Sequence, residues 1–145
     1  MKPRSTMLDA LFEPVRIGTM TVRNRIVMPP MATGFATEDG LVTQKHLDYY
    51  AARARGGAGL IIVEFACVDF PVGKVGRQLA IDHDRCLPGL RQLAEAIKGN
   101  GARAAIQIHH AGREARTKFT GLQPVAPSPV PAYRGADMPR ELTIA

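Results

Sequence analysis

Polar side chains that could do chemistry collect at the ends of three apolar segments of the sequence. The stretch QIHHAGR, residues 107–113, follows the apolar run 104–106 and supplies a carboxamide, two imidazoles and a guanidinium. Glu64 follows a second apolar run, and the proline-rich segment 29–33 follows a third. Such groups could ligate a metal, act as an acid or base, or bind another ligand, so the elements that position them decide between these roles.

The spacing of the paired histidines argues against a metal site. Successive side chains on a strand point to opposite faces, so Gln107 and His109 would face one way and His110 the other. No carboxylate or cysteine stands beside them at ligand spacing, and we predict no metal site in the chain. We expect packed or loop-bonding histidines instead, and the isolated His46 and His83 receive no role.

Glu64 admits two interpretations. It ends a very apolar strand, where burial could suit its carboxyl group to acid catalysis. Such a group is more often held by backbone amides or by a neighbouring arginine, for which Arg25 and Arg53 are candidates. We favour this second interpretation and assign no catalytic residue.

Gln107 is the most informative of these groups. It continues a predicted strand of Ala and Ile residues, so we expect a half-buried carboxamide that needs partners for both its NH2 and its C=O. The pyrimidine edge of a flavin presents adjacent acceptors and an N–H donor that would satisfy it. A neighbouring backbone loop would do so equally well, and spacing alone leaves both possibilities open.

Predicted strands and helices alternate along the first two-thirds of the chain. Apolar residues recur at helical spacing after Thr43 and again after Asp84, each a candidate helix cap. Gly56 would end the first helix and Gly99 the second. The predicted strands are Ile26–Met28, Leu60–Val63 and Ala104–Ile106, preceded by a hairpin of Val15–Ile17 and Met20–Val22 that turns near Gly18.

This alternation predicts an α/β fold with parallel strands joined by right-handed crossovers. The strands could form a small open sheet or the first part of a barrel of eight βα units. In either case the carboxyl ends of parallel strands share one edge, which would gather segments 29–33, 64–67 and 107–110 around one mouth. Beyond Arg113 the chain is proline-rich, and we expect a long loop followed by the approach to another helix at 138–143.

Composition narrows the classes of partner. The formal net charge of +6 comes from basic residues spread along the chain, without a nucleic-acid-binding motif, so we predict a basic solvated surface and no nucleic-acid partner. The N-terminus lacks a signal sequence and no apolar run is long enough to span a membrane. Cys67 and Cys86 fit reduced thiols, and we expect a cytoplasmic protein.

Several motifs together resemble the old yellow enzyme family of NADH:flavin oxidoreductases. The similarity runs from about Leu8 to Thr143, and MPPMAT is closest to the enoate reductase and 2,4-dienoyl-CoA reductase branch. The matching stretches, in the family's order, are LFEPVRIG at 11–18, NRIVMPPM at 24–31, HLDYYAARARGGAGLIIVE at 46–64 and QIHHAGR at 107–113.

The resemblance implies a partial (β/α)8 TIM barrel. Residues 1–145 would form the N-terminal part of an FMN-binding domain, with about the first three βα units and an N-terminal hairpin that plugs the barrel. It also implies which residues bind FMN. Pro30, Met31, Ala32 and Phe65 would contact it through their backbones, and Gln107 through its side chain. His110 and Arg113 would be framework around this contact. Many relatives carry Thr or Cys where Ala32 stands, so a side-chain hydrogen bond to the flavin would be missing or come from Thr33.

The implied activity is reduction of an activated C=C bond. NAD(P)H would reduce FMN, and the flavin would pass hydride to an enone or enoyl substrate. The family's substrate-binding His pair or His/Asn pair, its Tyr proton donor and, in its multidomain branch, its iron–sulfur cysteines come later than these residues. We therefore expect this chain alone to bind FMN weakly and to reduce nothing. The alternatives are a non-catalytic fragment or split-barrel subunit that needs a second chain or a homo-oligomer, and an amine-oxidising or demethylating relative.

Overall fold

The computed structural model describes residues 8–143, in which helices and strands alternate much as the sequence predicts. The helices are α1 (Asp9–Phe12), α2 (Gln44–Arg55), α3 (Phe70–Gly73), α4 (Leu87–Gly99) and α5 (Thr117–Thr120). The strands are β1 (Val15–Ile17), β2 (Met20–Val22), β3 (Val27–Met28), β4 (Leu60–Cys67), β5 (Leu79–Ala80), β6 (Arg103–His109), β7 (Val125–Ala126) and β8 (Arg140–Glu141). Single 3-10 turns lie at Asp84–Cys86 and Gly112–Glu114.

The long strand β4 is the centre of a parallel sheet. Both β3 and β6 pair with Leu60 and Ile61, so they must lie on opposite sides of β4. Both β5 and β6 pair with Ala66 and Cys67, which places β5 above β3 on the same side of β4. Among the described residues, 62–65 of β4 therefore have no paired strand on that side, and the segment that follows β3 contacts β4 there through Thr33 and Glu64.

Helices α2 and α4 cover one face of this sheet and pack against each other. Their apolar stripes meet the buried side chains of β4 in a single core. The core is closed to solvent at Tyr50, Ile61, Leu93 and Ile97. Burial of both faces of β4 explains why its sequence is a continuous apolar run.

Strand β6 is confirmed as a parallel strand but is not buried on both faces. Ala104 and Ile106 pack towards the core, whereas Ala105 and Gln107 on the opposite face are exposed. Helix α4 covers only one face of β6, and within residues 8–143 no strand pairs with its outer edge. The face that carries Gln107 is therefore accessible.

The hairpin and the ends of α2 agree with the sequence. Strands β1 and β2 pair in antiparallel register around Gly18, whose φ of 59° favours glycine. Thr43 caps α2 and Gly56 ends it. Both cysteines are buried, and burial raises the pKa of both thiols.

Two local predictions were wrong, and one strand was missed. Asp84 begins a 3-10 turn and makes no side-chain cap hydrogen bond, because α4 begins only at Leu87. Residues 140–141 form β8, paired with β7, where the sequence suggested a helix approach. Strand β5 was not predicted, since two residues carry no periodic signal. Across residues 8–143, none of the helices combines the length and the apolar character needed to cross a membrane.

Candidate functional site

Phe65 and Gln107 are brought together by a β-bulge. Val63 pairs with Ile106 and Ala66 with Ile108, so two residues of β4 oppose Gln107 alone. The ring of Phe65 lies 4.9 Å from that of His109, measured between centroids. The bulge therefore sets Phe65 beside Gln107 at the carboxyl edge of the sheet.

The carboxamide of Gln107 is exposed, where the sequence suggested a half-buried group. The face of β6 that carries it has no covering layer in the described part of the chain. No residue between 8 and 143 hydrogen-bonds this side chain, so the neighbouring-loop alternative is not what the structure shows. The NH2 and C=O of Gln107 remain available to a ligand.

The segment after β3 reaches the same edge. Pro29 and Pro30 lack N–H groups and end the β3 ladder after Met28. The chain then passes beside the upper half of β4, where the N–H of Thr33 donates to Oε2 of Glu64 over 2.9 Å. Two exposed residues, Met31 and Ala32, lie just before this anchor. We call this edge, defined by Pro30, Met31, Ala32, Phe65 and Gln107, the rim.

Glu64 is a buried anchor for the rim. Glu64 is 1% exposed. Its Oε2 lies 3.4 Å from the hydroxyl of Tyr50, and that hydroxyl accepts the backbone N–H of Glu64 over 2.9 Å. Burial raises the pKa of Tyr50, so that hydroxyl stays protonated and can donate. The prediction that a backbone amide binds the Glu64 carboxylate is confirmed. The suggested arginine partners are wrong, because Arg25 pairs with Glu13 and Arg53 lies over the Tyr49 ring.

His46 completes this buried network, and the sequence analysis missed it. Its Nδ1 accepts the N–H of Thr43 over 3.1 Å, so a neutral ring carries its proton on Nε2. That Nε2 lies 3.5 Å from Oε1 of Glu64. The spacing of Thr43 and His46 is that of a capping box with histidine in the glutamate position, and this signal was available in the sequence.

The adjacent histidines at 109 and 110 each contact a neighbour within residues 8–143. Nδ1 of His110 accepts the N–H of Gly112 over 2.9 Å, which confirms a loop-bonding role. His109 packs on Phe65, and the amide of Gln78 lies 3.4 Å from its Nδ1. Burial, and to a smaller extent the charge of His110, lowers the pKa of His109.

We expect His109 to make the fold less stable in mild acid. Because the pKa of His109 is lower in the folded chain, the unfolded chain binds the proton first as the pH falls. Neutral His109 therefore costs the fold no stability above the unfolded-state pKa, and the free energy of unfolding decreases as the pH falls below that value. Replacing His109 by Gln should therefore reduce the loss of unfolding free energy between neutral pH and pH of about 5. Urea unfolding at both pH values measures it. If His109→Gln leaves the difference in unfolding free energy between the two pH values unchanged, His109 is not the group responsible. His83→Gln is the control.

A separate basic cavity of about 200 Å³ lies in the segment after β6. Arg113, Arg116 and Lys118 line it together with Tyr133 and Asp137. It contains none of the rim residues. Its three basic side chains outnumber the carboxylates of Glu114 and Asp137, so it would attract anions and is one competing surface for a phosphate-bearing ligand.

Ligand-accessible groups at the carboxyl ends of parallel strands, on a βα repeat, are typical of α/β-barrel enzymes. The family profile described as NADH:flavin oxidoreductase / NADH oxidase matches residues 10–143, and the chain belongs to this family. The resemblance to old yellow enzymes is thereby confirmed.

Curated relatives and solved structures agree with this family. An NADH oxidase of Thermoanaerobacter brockii is 57% identical over 141 residues, which cover 96% of this chain and 22% of the relative. An NADH:acrylate oxidoreductase of Vibrio harveyi is 49% identical over 124 residues, covering 84% of this chain and 12% of the relative. These two curated relatives are thus far longer than the segment they share with this chain.

The solved structure of an old yellow enzyme homologue from Zymomonas mobilis superposes with a TM-score of 0.83 at 33% identity, covering 93% of this chain and 40% of that one. A 2-naphthoyl-CoA reductase complex gives a TM-score of 0.87 at 26% identity, over 94% of this chain and 23% of that one. These likenesses confirm the α/β barrel-type fold class. Residues 8–143 make part of such a barrel and do not close one.

Proposed function

We propose that this chain contributes the flavin-binding N-terminal part of an FMN-dependent NAD(P)H oxidoreductase that reduces activated C=C bonds. The observation that carries the proposal is the rim, where Phe65 and Gln107 stand side by side and the segment after β3 is anchored to Glu64 at the same edge. Relatives named as NADH:acrylate and NADH:fumarate oxidoreductases support the substrate class, since both names describe unsaturated acids. A cytoplasmic location is part of the same proposal.

The donor set of the rim fits the pyrimidine edge of a flavin. Gln107 offers an NH2 and a C=O that no residue within 8–143 occupies. Met31 and Ala32 offer backbone N–H groups and Pro30 a carbonyl, in the segment that follows β3, which pairs on the opposite side of β4 from β6. A flat ligand with alternating donors and acceptors would be held between these two groups.

Each rim residue has a task that follows from its chemistry. The carboxamide of Gln107 would orient the ring by donating to one atom and accepting from the next. Donors at that edge also stabilise negative charge on it. Phe65 would exclude water beside the ring, and Glu64 holds the segment after β3 in place through Thr33. Bound FMN would supply the hydride chemistry, accepting hydride from NAD(P)H and donating it to the alkene.

Replacing Gln107 by Ala should weaken FMN binding by the chain about tenfold, because a hydrogen-bonding group that touches the ligand is lost. Quenching of FMN fluorescence during titration measures the dissociation constant. Gln92→Ala is the matched control, since Gln92 is an exposed glutamine on α4, the helix that covers the face of β6 opposite to Gln107.

Equal dissociation constants for the two glutamine variants would contradict the proposal. Loss of binding on raising the salt concentration, with no effect of Gln107→Ala, would instead indicate binding at a basic surface such as the basic cavity. Circular dichroism of both variants should match that of the unsubstituted chain, because both side chains are exposed.

A further inference from the structure

The loop between β5 and α4 holds three side chains whose donor atoms converge, apart from the rim residues. Asp82, His83 and Cys86 each offer one ligand atom, and these atoms all lie within 4.8 Å of one another. We propose that they bind one divalent late first-row transition-metal ion of the Zn²⁺ type. This site goes beyond the proposed flavin chemistry and does not depend on it.

The donor distances are close to those of a tetrahedral site. Nε2 of His83 lies 3.6 Å from Oδ1 of Asp82 and 3.8 Å from Sγ of Cys86. Zinc bonds of about 2.0–2.3 Å imply edges of about 3.3–3.6 Å between neighbouring ligand atoms. The third pair, Asp82 and Cys86, lies within 4.8 Å, so the loop would contract by up to about 1.2 Å to close the three donors around one ion.

The carboxyl group of Asp82 is already oriented for this role. Its Oδ2 accepts the N–H of Phe70 over 2.9 Å, which fixes the plane of the group. Its Oδ1 is buried and has no hydrogen-bond partner among residues 8–143. Leaving a buried carboxylate oxygen without a hydrogen bond is costly, and a bound cation would satisfy it.

The sulfur of Cys86 is also held in place. The residue is 3% exposed, packs with Cys67, Phe70 and Ala80, and donates its backbone N–H to the carbonyl of His83. Metal binding would break the S–H bond, release the proton to solvent and leave thiolate as the ligand.

The combination of donors selects the class of ion. Thiolate with imidazole favours Zn²⁺ and its neighbours over Mg²⁺ or Ca²⁺, which prefer all-oxygen sites. Three protein ligands leave a fourth position, which water can occupy. A bound ion would also hold this loop in place, because the loop packs through Cys86 and Ala80 against Leu41, next to Gly40, whose carbonyl accepts the Ala80 N–H.

Arg85 competes with the ion for His83, so replacing Arg85 should change the metal affinity in a defined direction. Its exposed guanidinium has Nη2 3.3 Å from Nε2 of His83, so it must turn away before that nitrogen can bind a cation. Replacing Arg85 by Gln removes a positive charge beside the site. Metal binding should therefore become tighter in this variant.

The test is titration of the reduced chain with Co²⁺ under anaerobic conditions. We expect one ion per chain, a thiolate-to-cobalt charge-transfer band in the near ultraviolet, and displacement of Co²⁺ by Zn²⁺. Cys86→Ser and His83→Ala should abolish the band, Asp82→Asn should weaken binding at least about tenfold, and Arg85→Gln should strengthen it. Cys67→Ser and Asp84→Asn are matched controls that should leave the band intact.

A second measurement uses only the unsubstituted chain, so it does not depend on any variant folding. Saturating Zn²⁺ should raise the melting temperature by about 5–10 °C and slow alkylation of Cys86 relative to Cys67. Absence of the charge-transfer band in the unsubstituted chain would overturn the proposal. So would Co²⁺ binding that persists unchanged in both Cys86→Ser and His83→Ala.

Discussion

Replacing Glu64 by Ala is expected to lower the free energy of unfolding by about 3–5 kcal/mol. The carboxyl group accepts from the Thr33 N–H, lies 3.4 Å from the Tyr50 hydroxyl and 3.5 Å from His46 Nε2. Its removal would leave the Thr33 N–H and the Tyr50 hydroxyl without their acceptor, and His46 without the neighbouring carboxylate, in a region closed to water. Urea unfolding followed by circular dichroism measures the change.

Two further variants define how specific this effect is. Glu64→Gln should cost about 1–3 kcal/mol, because its NH2 must face either the Thr33 N–H or the His46 Nε2–H, both of which are donors. Glu38→Ala is the matched control, since Glu38 is exposed and its ion pair with Arg77 spans 3.6 Å in solvent; the expected change is below about 0.5 kcal/mol. Similar losses for Glu64→Ala and Glu38→Ala would contradict the buried network.

Replacing Gly40 by Ala is expected to cost about 2–5 kcal/mol. Gly40 has a φ of 82°, which side chains rarely adopt, and an added Cβ would lie 2.6 Å from Cβ of Ala80 and 2.9 Å from its backbone nitrogen. Its carbonyl accepts the Ala80 N–H over 2.9 Å, so the backbone cannot retreat without losing that bond. The same unfolding experiment measures the loss.

Gly34→Ala separates the two causes of this effect. Gly34 also has a positive φ, of 69°, but an added Cβ would meet nothing within 4 Å. It should therefore cost only the backbone strain, about 1 kcal/mol. If the two glycine variants are equally stable, close packing of Gly40 against Ala80 is not what requires glycine there.

These two predictions concern the same feature, the connection of segment 33–43 to the sheet. Thr33 is held by Glu64 at one end, and Thr43 by His46 at the other, while Gly40 is bonded to Ala80 between them. The segment begins directly after the rim. A buried polar network far from solvent thus fixes the backbone that would contact a flavin, which links the stability of the fold to the geometry of the site.

Much of the fold could be predicted because local patterns and tertiary packing agree. The apolar stripe after Thr43 indicates a helix, and the glycine after it indicates where that helix ends. The apolar run of β4 indicates a buried strand. Alternation of these elements then implies parallel pairing and a shared carboxyl edge. The position of Phe65 and Gln107 on neighbouring strands follows from that topology.

The rest depended on contacts that no local pattern encodes. The bulge at Glu64 and Phe65 arises from the pairing of β4 with β6, so spacing along β4 alone could not show which residue would stand beside Gln107. The exposure of Gln107 depends on which layers cover β6. His46 seemed isolated because its partner Glu64 lies 18 positions away along the numbered sequence.

The central claim is that the rim binds the pyrimidine edge of FMN, and chemical-shift mapping by NMR tests it most directly. Titrating FMN into the ¹⁵N-labelled chain should shift the amide signals of Met31, Ala32 and Phe65 and the side-chain NH2 of Gln107 together, with a single saturation curve. Shifts confined to Arg113, Arg116 and Lys118, with the rim signals unmoved, would contradict the account.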